Sequence, residues 1–418
     1  MHKQTLGMNY RLTAPNSSTC TIALPASKSI SNRLLLIRAL CAKPFRIFNL
    51  AECDDTAAMQ QALATQSETI NVGAAGTAMR FLAAFFATCQ GRTVTLCGDE
   101  RMHQRPIAPL VDALRQLGAD IEYTEKKGFP PLRITGKQLA SNKHIDMPGH
   151  VSSQFISAML MIAPVIGGIH LEITGEITSR PYIDMTLQLL QEFGIEASWQ
   201  GNTIDVPAGE YLPHDYAVEA DWSAAATWFA LQALLPQSHI TLNGLMQNSL
   251  QGDSRVAEIF ASMGINATWN GDALQLDCSR VTQCCCSTFA DLNGTPDLTP
   301  TLVMALCLLG RPFRITGLHT LRIKESDRLE VLHSELRKLG YDIQIEGNDA
   351  LQWHFETVEP QAAPRIDTHG DHRMAMAFAL AATKFPGIVI ENAQVVNKSY
   401  PLFWQHLQQT GFSMTEQL

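Results

Sequence analysis

LVDALRQLGADIEY, residues 110–123, carries two patterns joined at one glycine. Up to Leu117 the apolar residues recur at helical spacing. After Gly118 they alternate with acids, as in a half-buried strand. A glycine at that junction suits a left-handed helix C-cap that turns the chain into the strand. The same piece returns as LQLLQEFGIEASW around Gly194, VAEIFASMGINATW around Gly264, VLHSELRKLGYDIQI around Gly340 and FWQHLQQTGF ending near Gly411. The intervals between the glycines are 76, 70, 76 and 71 residues, so the chain is built from one repeated unit. A weaker sixth copy, AAMQQALATQSETINV, starts at Ala57 and lacks the glycine.

Between these pieces lies a second recurring one, a nearly all-apolar helix with a short polar start. Its copies are SKSISNRLLLIRAL (27–40), AGTAMRFLAAFFA (75–87), VSSQFISAMLMIA (151–163), DWSAAATWFALQALL (221–235), TPDLTPTLVMALCLLG (295–310) and GDHRMAMAFALAA (370–382). A helix apolar all round belongs at the centre of a domain, and Ser, Thr, Asp and Gly at the starts suit the free N–H groups there. Each apolar helix is followed by a β-branched run and a polar loop. The unit therefore reads as buried helix, strand, polar loop, amphipathic helix and further strands, made six times. Buried helices must share a core, which divides the units three and three.

Composition bounds the function. The chain has 418 residues, enough for two or three domains. Its 31 basic against 40 acidic residues give a net charge of −9, which argues against nucleic acid or an anionic membrane as the main partner. The start has no apolar stretch resembling a leader. The apolar run Phe155–Ile169 contains Pro164, Gly167 and Gly168 and is too short to span a bilayer, so it is expected to be a buried helix. Ten cysteines form no Cys-x-x-Cys pair, and the adjacent Cys284, Cys285 and Cys286 cannot make a normal disulfide framework. Free thiols in a reducing, cytoplasmic setting are expected, with the cysteine run in a partly buried strand.

If the buried helices point one way, their N-termini gather partial positive charge and N–H donors on one face of each domain, which favours anions. The starts hold more than caps. Lys28, Ser29 and Arg33 fall within about a turn and a half; Gly76 lets backbone approach an anion; Ser152, Ser153 and Gln154 are short neutral donors; Asp371, His372 and Arg373 open the sixth helix. The loops add Arg105, Ser179, Tyr182, Lys324, Glu325, Arg328 and Lys398. Five of these cations, Lys28, Arg105, Arg328, Arg373 and Lys398, could hold more than one phosphate or carboxylate. Asp54-Asp55 and Asp253-Ser254-Arg255 read as loop residues with hinge or structural contacts. His369-x-x-His372 has no third ligand nearby, and Arg373 would repel a cation, so no metal is expected.

LPASKSISNRLLLIRAL, AAGTAMRFL, RPIAPLVDALRQLGA, VSSQFISAMLM, SRPYIDMT, RIKESDRL and DHRMAMAFALAA together resemble the enolpyruvyl transferase family, in its shikimate 3-phosphate branch. The likeness runs in order from about residue 20 to 400. It implies an α/β fold of two similar domains, each of three βαβαββ units around buried parallel helices, in an inverse α/β barrel-like arrangement. It implies transfer of the enolpyruvyl group of phosphoenolpyruvate to the 5-hydroxyl of shikimate 3-phosphate, with release of phosphate. By the same resemblance Ser29, Arg33, Ser152, Ser153, Ser179, Asp297 and Lys324 bind shikimate 3-phosphate, with Tyr182 near them. Lys28, Gly76, Arg105, Gln154, Arg328, Arg373 and Lys398 bind phosphoenolpyruvate. Asp297 takes the hydroxyl proton, and Glu325 and Lys28 move protons at the enolpyruvyl carbons. Crowded cations are expected to keep Asp297 ionised. No cofactor is called for, and a monomer is expected. Ala74 stands where the family commonly has Asn, Phe81 where it has Pro, and Thr320 where it often has Asn.

The rivals are a sister enzyme acting on UDP-N-acetylglucosamine and a non-catalytic sugar-phosphate binding protein. The first typically carries a cysteine where this chain has Glu100; the second would lack Asp297, Glu325 and Lys28. The repeats place the first domain at 22–218 and the second at 1–21 plus 219–418, with the active site expected in the cleft between them.

Overall fold

The computed structural model describes residues 7–278 and 288–417. The chain divides into two compact units, Ala26–Val218 (unit A) and Met1–Pro25 with Glu219–Leu418 (unit B). The first boundary falls at 26 rather than 22. Strand Thr19–Ala23 pairs in parallel with His239–Asn243 as far as Ala23, and Leu24 N–H donates to Asn243 O, so residues 22–25 belong to unit B. At the second boundary Val218 N–H donates to Phe48 O in unit A, whereas Ala220 N–H donates to Gly244 O in unit B.

Among the described residues, twelve α-helices alternate in character along the chain. In unit A they are α1 (Lys28–Leu40), α2 (Asp54–Ala64), α3 (Gly76–Thr88), α4 (Ala108–Gln116), α5 (Ser153–Ile162) and α6 (Arg180–Glu192). In unit B they are α7 (Trp222–Leu234), α8 (Val256–Ala261), α9 (Thr299–Leu309), α10 (Arg328–Lys338), α11 (His372–Ala379) and α12 (Phe403–Gln409). The odd-numbered six are the buried ones. α1, α3 and α5 pack on one another in unit A, and α9 packs on both α7 and α11 in unit B. Phe81, Phe86 and Phe155 in one core and Trp228, Phe229 and Phe378 in the other are fully buried. Each such side chain contributes roughly 1.5–3 kcal/mol through removal of apolar surface from water.

Sheets wrap these helices in a repeated pattern. Among the described residues, five are four-stranded and share one plan: a parallel pair, then two antiparallel strands. The strands of a parallel pair need a crossover, and the buried helix supplies it. In unit A, Thr69–Asn71 pairs with Thr93–Cys97 across α3, and Lys143–Pro148 with Ile169–Thr174 across α5. The N-terminal strand Asn9–Thr13 completes the last sheet of unit B, between Ile388–Glu391 and Ser413–Gln417.

The glycine C-caps are where the sequence placed them. Gly118, Gly194, Gly264, Gly340 and Gly411 all lie in the left-handed region, with φ between 82° and 94°. After Gly118 the Ala119 N–H reaches back to Leu114 O at 3.0 Å, closing the Schellman turn. The first repeat departs from the six equal βαβαββ units expected. Its sheet has only two strands, Ile47–Phe48 and Tyr216–Ala217, because too few residues separate α2 from the strand at Thr69 to make a hairpin. That copy is also the one without the glycine. The apolar run from Phe155 is likewise interrupted: α5 ends at Ile162, Pro164–Ile166 forms a 3-10 turn, and a strand begins at Ile169. Among the described residues no helix is long and apolar enough to cross a membrane. The seven described cysteines are free thiols; the Cys284–Cys286 run lies outside the described residues.

Candidate active site

In unit B the polar helix starts and loops gather around one carboxylate. Asp297 sits in the 3-10 turn Pro296–Leu298 that leads into α9. Its Oδ1 accepts from Arg328 Nη1 at 2.9 Å and lies 3.5 Å from Lys324 Nζ, while its Oδ2 accepts from Arg373 Nη2 at 2.8 Å. Arg328 opens α10 and is buried, its side chain 1% exposed. Its Nε donates to Asp371 Oδ2 at 2.7 Å, and its Nη2 reaches Asp371 Oδ1 and Glu325 Oε2, each at 3.2 Å. Lys398 Nζ lies 3.7 Å from the other oxygen of Glu325. Asp371 is the N-cap of α11, accepting from Arg373 N–H at 2.9 Å, and also takes a hydrogen bond from Ser326 Oγ at 3.2 Å. One buried carboxylate therefore caps the helix that carries Arg373 and locks the guanidinium of Arg328.

Burial pushes the Asp297 carboxyl up, but Arg373, Lys324 and Arg328 outweigh it, against opposition from Glu325, and hold it well below the usual carboxylate range. Asp253, fully buried in the 3-10 turn Gly252–Arg255, goes the other way. Burial and the charge of Asp297 push its carboxyl up to about 7, although Arg373 and the Ser223 hydroxyl pull it down. Two carboxyl groups with opposite shifts thus lie in one electrostatic neighbourhood, the arrangement from which acid–base assignments are made.

Unit A holds the second group. Lys28 opens α1, behind the Ser27 cap, and its Nζ lies 3.1 Å from Asp55 Oδ2. Asp55 is in the first turn of α2, not in a loop as the sequence reading had it. Beyond α2 and the strand Thr69–Asn71, α3 begins at Gly76 without a side-chain cap, and the guanidinium of Arg105 lies directly over that glycine. A Cβ added there would fall 2.6 Å from Arg105 Nη1, so a larger residue would have to push the guanidinium off the helix start. Gln154 in α5 donates from Nε2 to Thr77 Oγ1 at 3.1 Å, tying α5 to α3. Arg33 is buried among neutral oxygens: Thr186 Oγ1 (2.8 Å), Ser29 O (2.9 Å), Ser157 Oγ (3.0 Å) and Tyr182 O (3.1 Å). Burial pushes this guanidinium down to about 10, partly offset by Tyr182. Ser152 caps α5 through its hydrogen bond from Gln154 N–H, Ser153 follows it buried in the first turn, and Ser179 precedes α6 with φ 53° and no side-chain cap bond.

The structure thus joins Asp297, Lys324, Glu325, Arg328, Arg373 and Lys398 into one network of hydrogen bonds and ion pairs in unit B. In unit A it makes the pairs Gly76–Arg105 and Arg33–Tyr182. Sequence reasoning missed Asp371 as the holder of Arg328, Asp55 as the partner of Lys28, and Thr77 as the partner of Gln154. The signal for Asp371 was present, since an Asp directly before an apolar helix is a cap; its grip on an arginine 43 residues earlier was not. Of the three departures, Phe81 is fully buried with the Arg33 guanidinium 5.5 Å from its ring centre, and Thr320 is buried in the turn before Lys324. His369 is committed to Glu335, 3.1 Å from Nε2, and that bond raises its pKa against the effect of burial.

Repeated units whose helix starts hold cations, with an ionised carboxylate set among arginines, make a site suited to anionic ligands. The family model described as EPSP synthase (3-phosphoshikimate 1-carboxyvinyltransferase) matches residues 12–407. A protein of Bacteroides fragilis (strain YCH46) named 3-phosphoshikimate 1-carboxyvinyltransferase is 49% identical, over 97% of this chain and 99% of that protein. One of the same name from Idiomarina loihiensis is 37% identical, over 91% and 94%. The solved structure of EPSP synthase from Acinetobacter baumannii superposes with a TM-score of 0.77 at 22% identity, covering 98% of this chain and all of that one, and so shares the fold. The chain belongs to the EPSP synthase family.

Proposed function

We propose that this chain transfers the enolpyruvyl group of phosphoenolpyruvate to the 5-hydroxyl of shikimate 3-phosphate, acting as a monomer in the cytoplasm. The observation that carries the reading is the network in which Asp297 is shared by Arg328, Arg373 and Lys324. Such a set can trade an internal carboxylate for the phosphate and carboxylate groups of two anionic substrates.

Arg105, Arg328, Arg373, Lys28, Gly76, Gln154 and Lys398 take phosphoenolpyruvate. Ser29, Arg33, Ser152, Ser153, Ser179, Tyr182 and Lys324 take shikimate 3-phosphate. The 5-hydroxyl oxygen bonds to C2 of phosphoenolpyruvate while Asp297 accepts the hydroxyl proton and Glu325 or Lys28 protonates the methylene carbon. In the second step the C–O bond to phosphate breaks, a proton leaves the new methyl group, and the enol ether reforms. Arginine and lysine stabilise charge on the departing phosphate.

The low pKa of Asp297 sets a condition on this chemistry, because a carboxylate so strongly stabilised is a poor base. Substrate anions bound to the same three cations withdraw part of their field from Asp297 and restore its basicity. The base is then fully competent only when both substrates are in place. The rival use of UDP-N-acetylglucosamine lacks a matching thiol. Burial and Glu125 push the nearest one, Cys97, up rather than down, opposite to what a reactive cysteine needs.

Replacing Asp297 or Glu325 by Ala is expected to abolish turnover in a chain that retains its fold by circular dichroism. Near-normal kcat in either variant would refute the assigned roles.

A further inference from the structure

Outside the candidate active site, the outer sheet of unit A carries an ordered set of metal-ligating side chains. Strands Lys143–Pro148 and Ile169–Thr174 run parallel with His144 opposite His170 and Asp146 opposite Glu172. Inward residues of these strands, Ile145, Met147, Leu171 and Ile173, are fully buried. The alternation of a strand therefore turns His144, Asp146, His170 and Glu172 onto the outer face. A His-x-Asp strand thus lies in register beside a His-x-Glu strand.

Three of the four already converge. His144 Nε2 lies 3.2 Å from Asp146 Oδ1 and 3.1 Å from Glu172 Oε2, and the three ligand atoms fall within 4.8 Å of one another. Ligands at ~2.1 Å in a tetrahedral zinc site are about 3.4 Å apart, so this spacing is close to the edge of such a site. His170 stands beside them with the carboxylate of Asp205 on Nδ1 and Asn142 Oδ1 3.0 Å from Nε2. A carboxylate on one imidazole nitrogen is the usual second-shell arrangement that aims the other nitrogen at a metal. His170 could then join as a fourth ligand by exchanging Asn142 for the ion.

Charge gives a second reason. Asp146 and Glu172 are direct cross-strand partners, and like charges in that relation destabilise a sheet. With Asp205 opposite His170 on the next strand, three carboxylates crowd a small exposed area. Exposed His–carboxylate pairs are screened by solvent and are a weak remedy. A divalent cation neutralises the pair directly. Mixed imidazole and carboxylate donors suit zinc-like ions rather than calcium or magnesium, which prefer oxygen alone.

We propose that His144, Asp146 and Glu172, with His170 able to join them, bind a zinc-like divalent cation on the outer sheet of unit A. The ion would staple the strands that lead into Ser152–Gln154 and Ser179, and takes no part in the chemistry.

Full-length protein stripped with a chelator and titrated calorimetrically with zinc tests this, with cobalt(II) absorption as a second readout. The expected result is about one saturable zinc per chain, a cobalt spectrum of nitrogen–oxygen type, and a rise in Tm with zinc. His144→Ala and Glu172→Gln, both at exposed positions, should each weaken binding by about tenfold or more and remove the Tm rise. Both variants should keep the metal-free rate of phosphate release. No saturable binding by the native chain, or unchanged binding in His144→Ala, would overturn the proposal.

Discussion

At the scale of residues, two carboxyl groups in unit B make opposite predictions. Asp297 is held low in the free protein by burial-opposing cations and should recover basicity as substrates engage them. The acid limb of kcat is therefore expected at higher pH than that of kcat/KM, since the first reports the bound enzyme and the second the free one; coincident limbs would contradict this. Asp253, with a pKa raised to about 7, binds its proton more tightly folded than unfolded. Its contribution to stability is present below the unfolded pKa of about 4 and is lost as pH rises toward 7. Thermal unfolding of Asp253→Asn across pH 5 to 8 should fall less steeply than that of the native chain. Asp371→Asn can keep the α11 cap but loses the charge and one of the two acceptors that hold Arg328. A cost of about 3 kcal/mol is expected by denaturant titration, with a raised KM for phosphoenolpyruvate. Residues of this kind were only partly legible. Lys28, Arg328 and Arg373 declare themselves by type and position, but Asp55 and Asp371 act through ion pairs that only the folded chain brings together.

At the scale of elements, the repeat was readable because each piece depends on local physics. Glycine at the helix end, alternation after it and an all-apolar helix before the next loop require no knowledge of distant contacts. Gly118→Ala should cost roughly 1 kcal/mol, because φ is 88° and the space around it is open, leaving backbone strain as the only penalty. The same change at Gly340 should cost more, since its Cβ would also press on Val358 O at 3.3 Å. A measured Tm order opposite to this would contradict the capping account. Helix starts were less legible. Ser27, Ser152, Asp221 and Asp371 cap α1, α5, α7 and α11 through their side chains, but α3 and α9 have no such cap. A polar residue near a helix start does not reveal whether its side chain turns back to the backbone. The shortened first repeat was visible only as a missing glycine.

At the scale of the whole molecule, the residues proposed for shikimate 3-phosphate are spread along the chain. Ser29, Arg33, Ser152, Ser153 and Ser179 come from unit A, and Asp297 and Lys324 from unit B. Shikimate 3-phosphate at a hundredfold excess over its Kd should add about 2.7 kcal/mol to stability, read as a rise in Tm by calorimetry; an unchanged Tm would contradict binding. The central claim, that this cationic constellation joins two anions by enolpyruvyl transfer, is tested most directly by phosphate release from the purified chain. With phosphoenolpyruvate and shikimate 3-phosphate together, stoichiometric phosphate and an enol ether product are expected, and neither substrate alone should give phosphate. No release from that pair, with release when UDP-N-acetylglucosamine replaces shikimate 3-phosphate, would contradict the account.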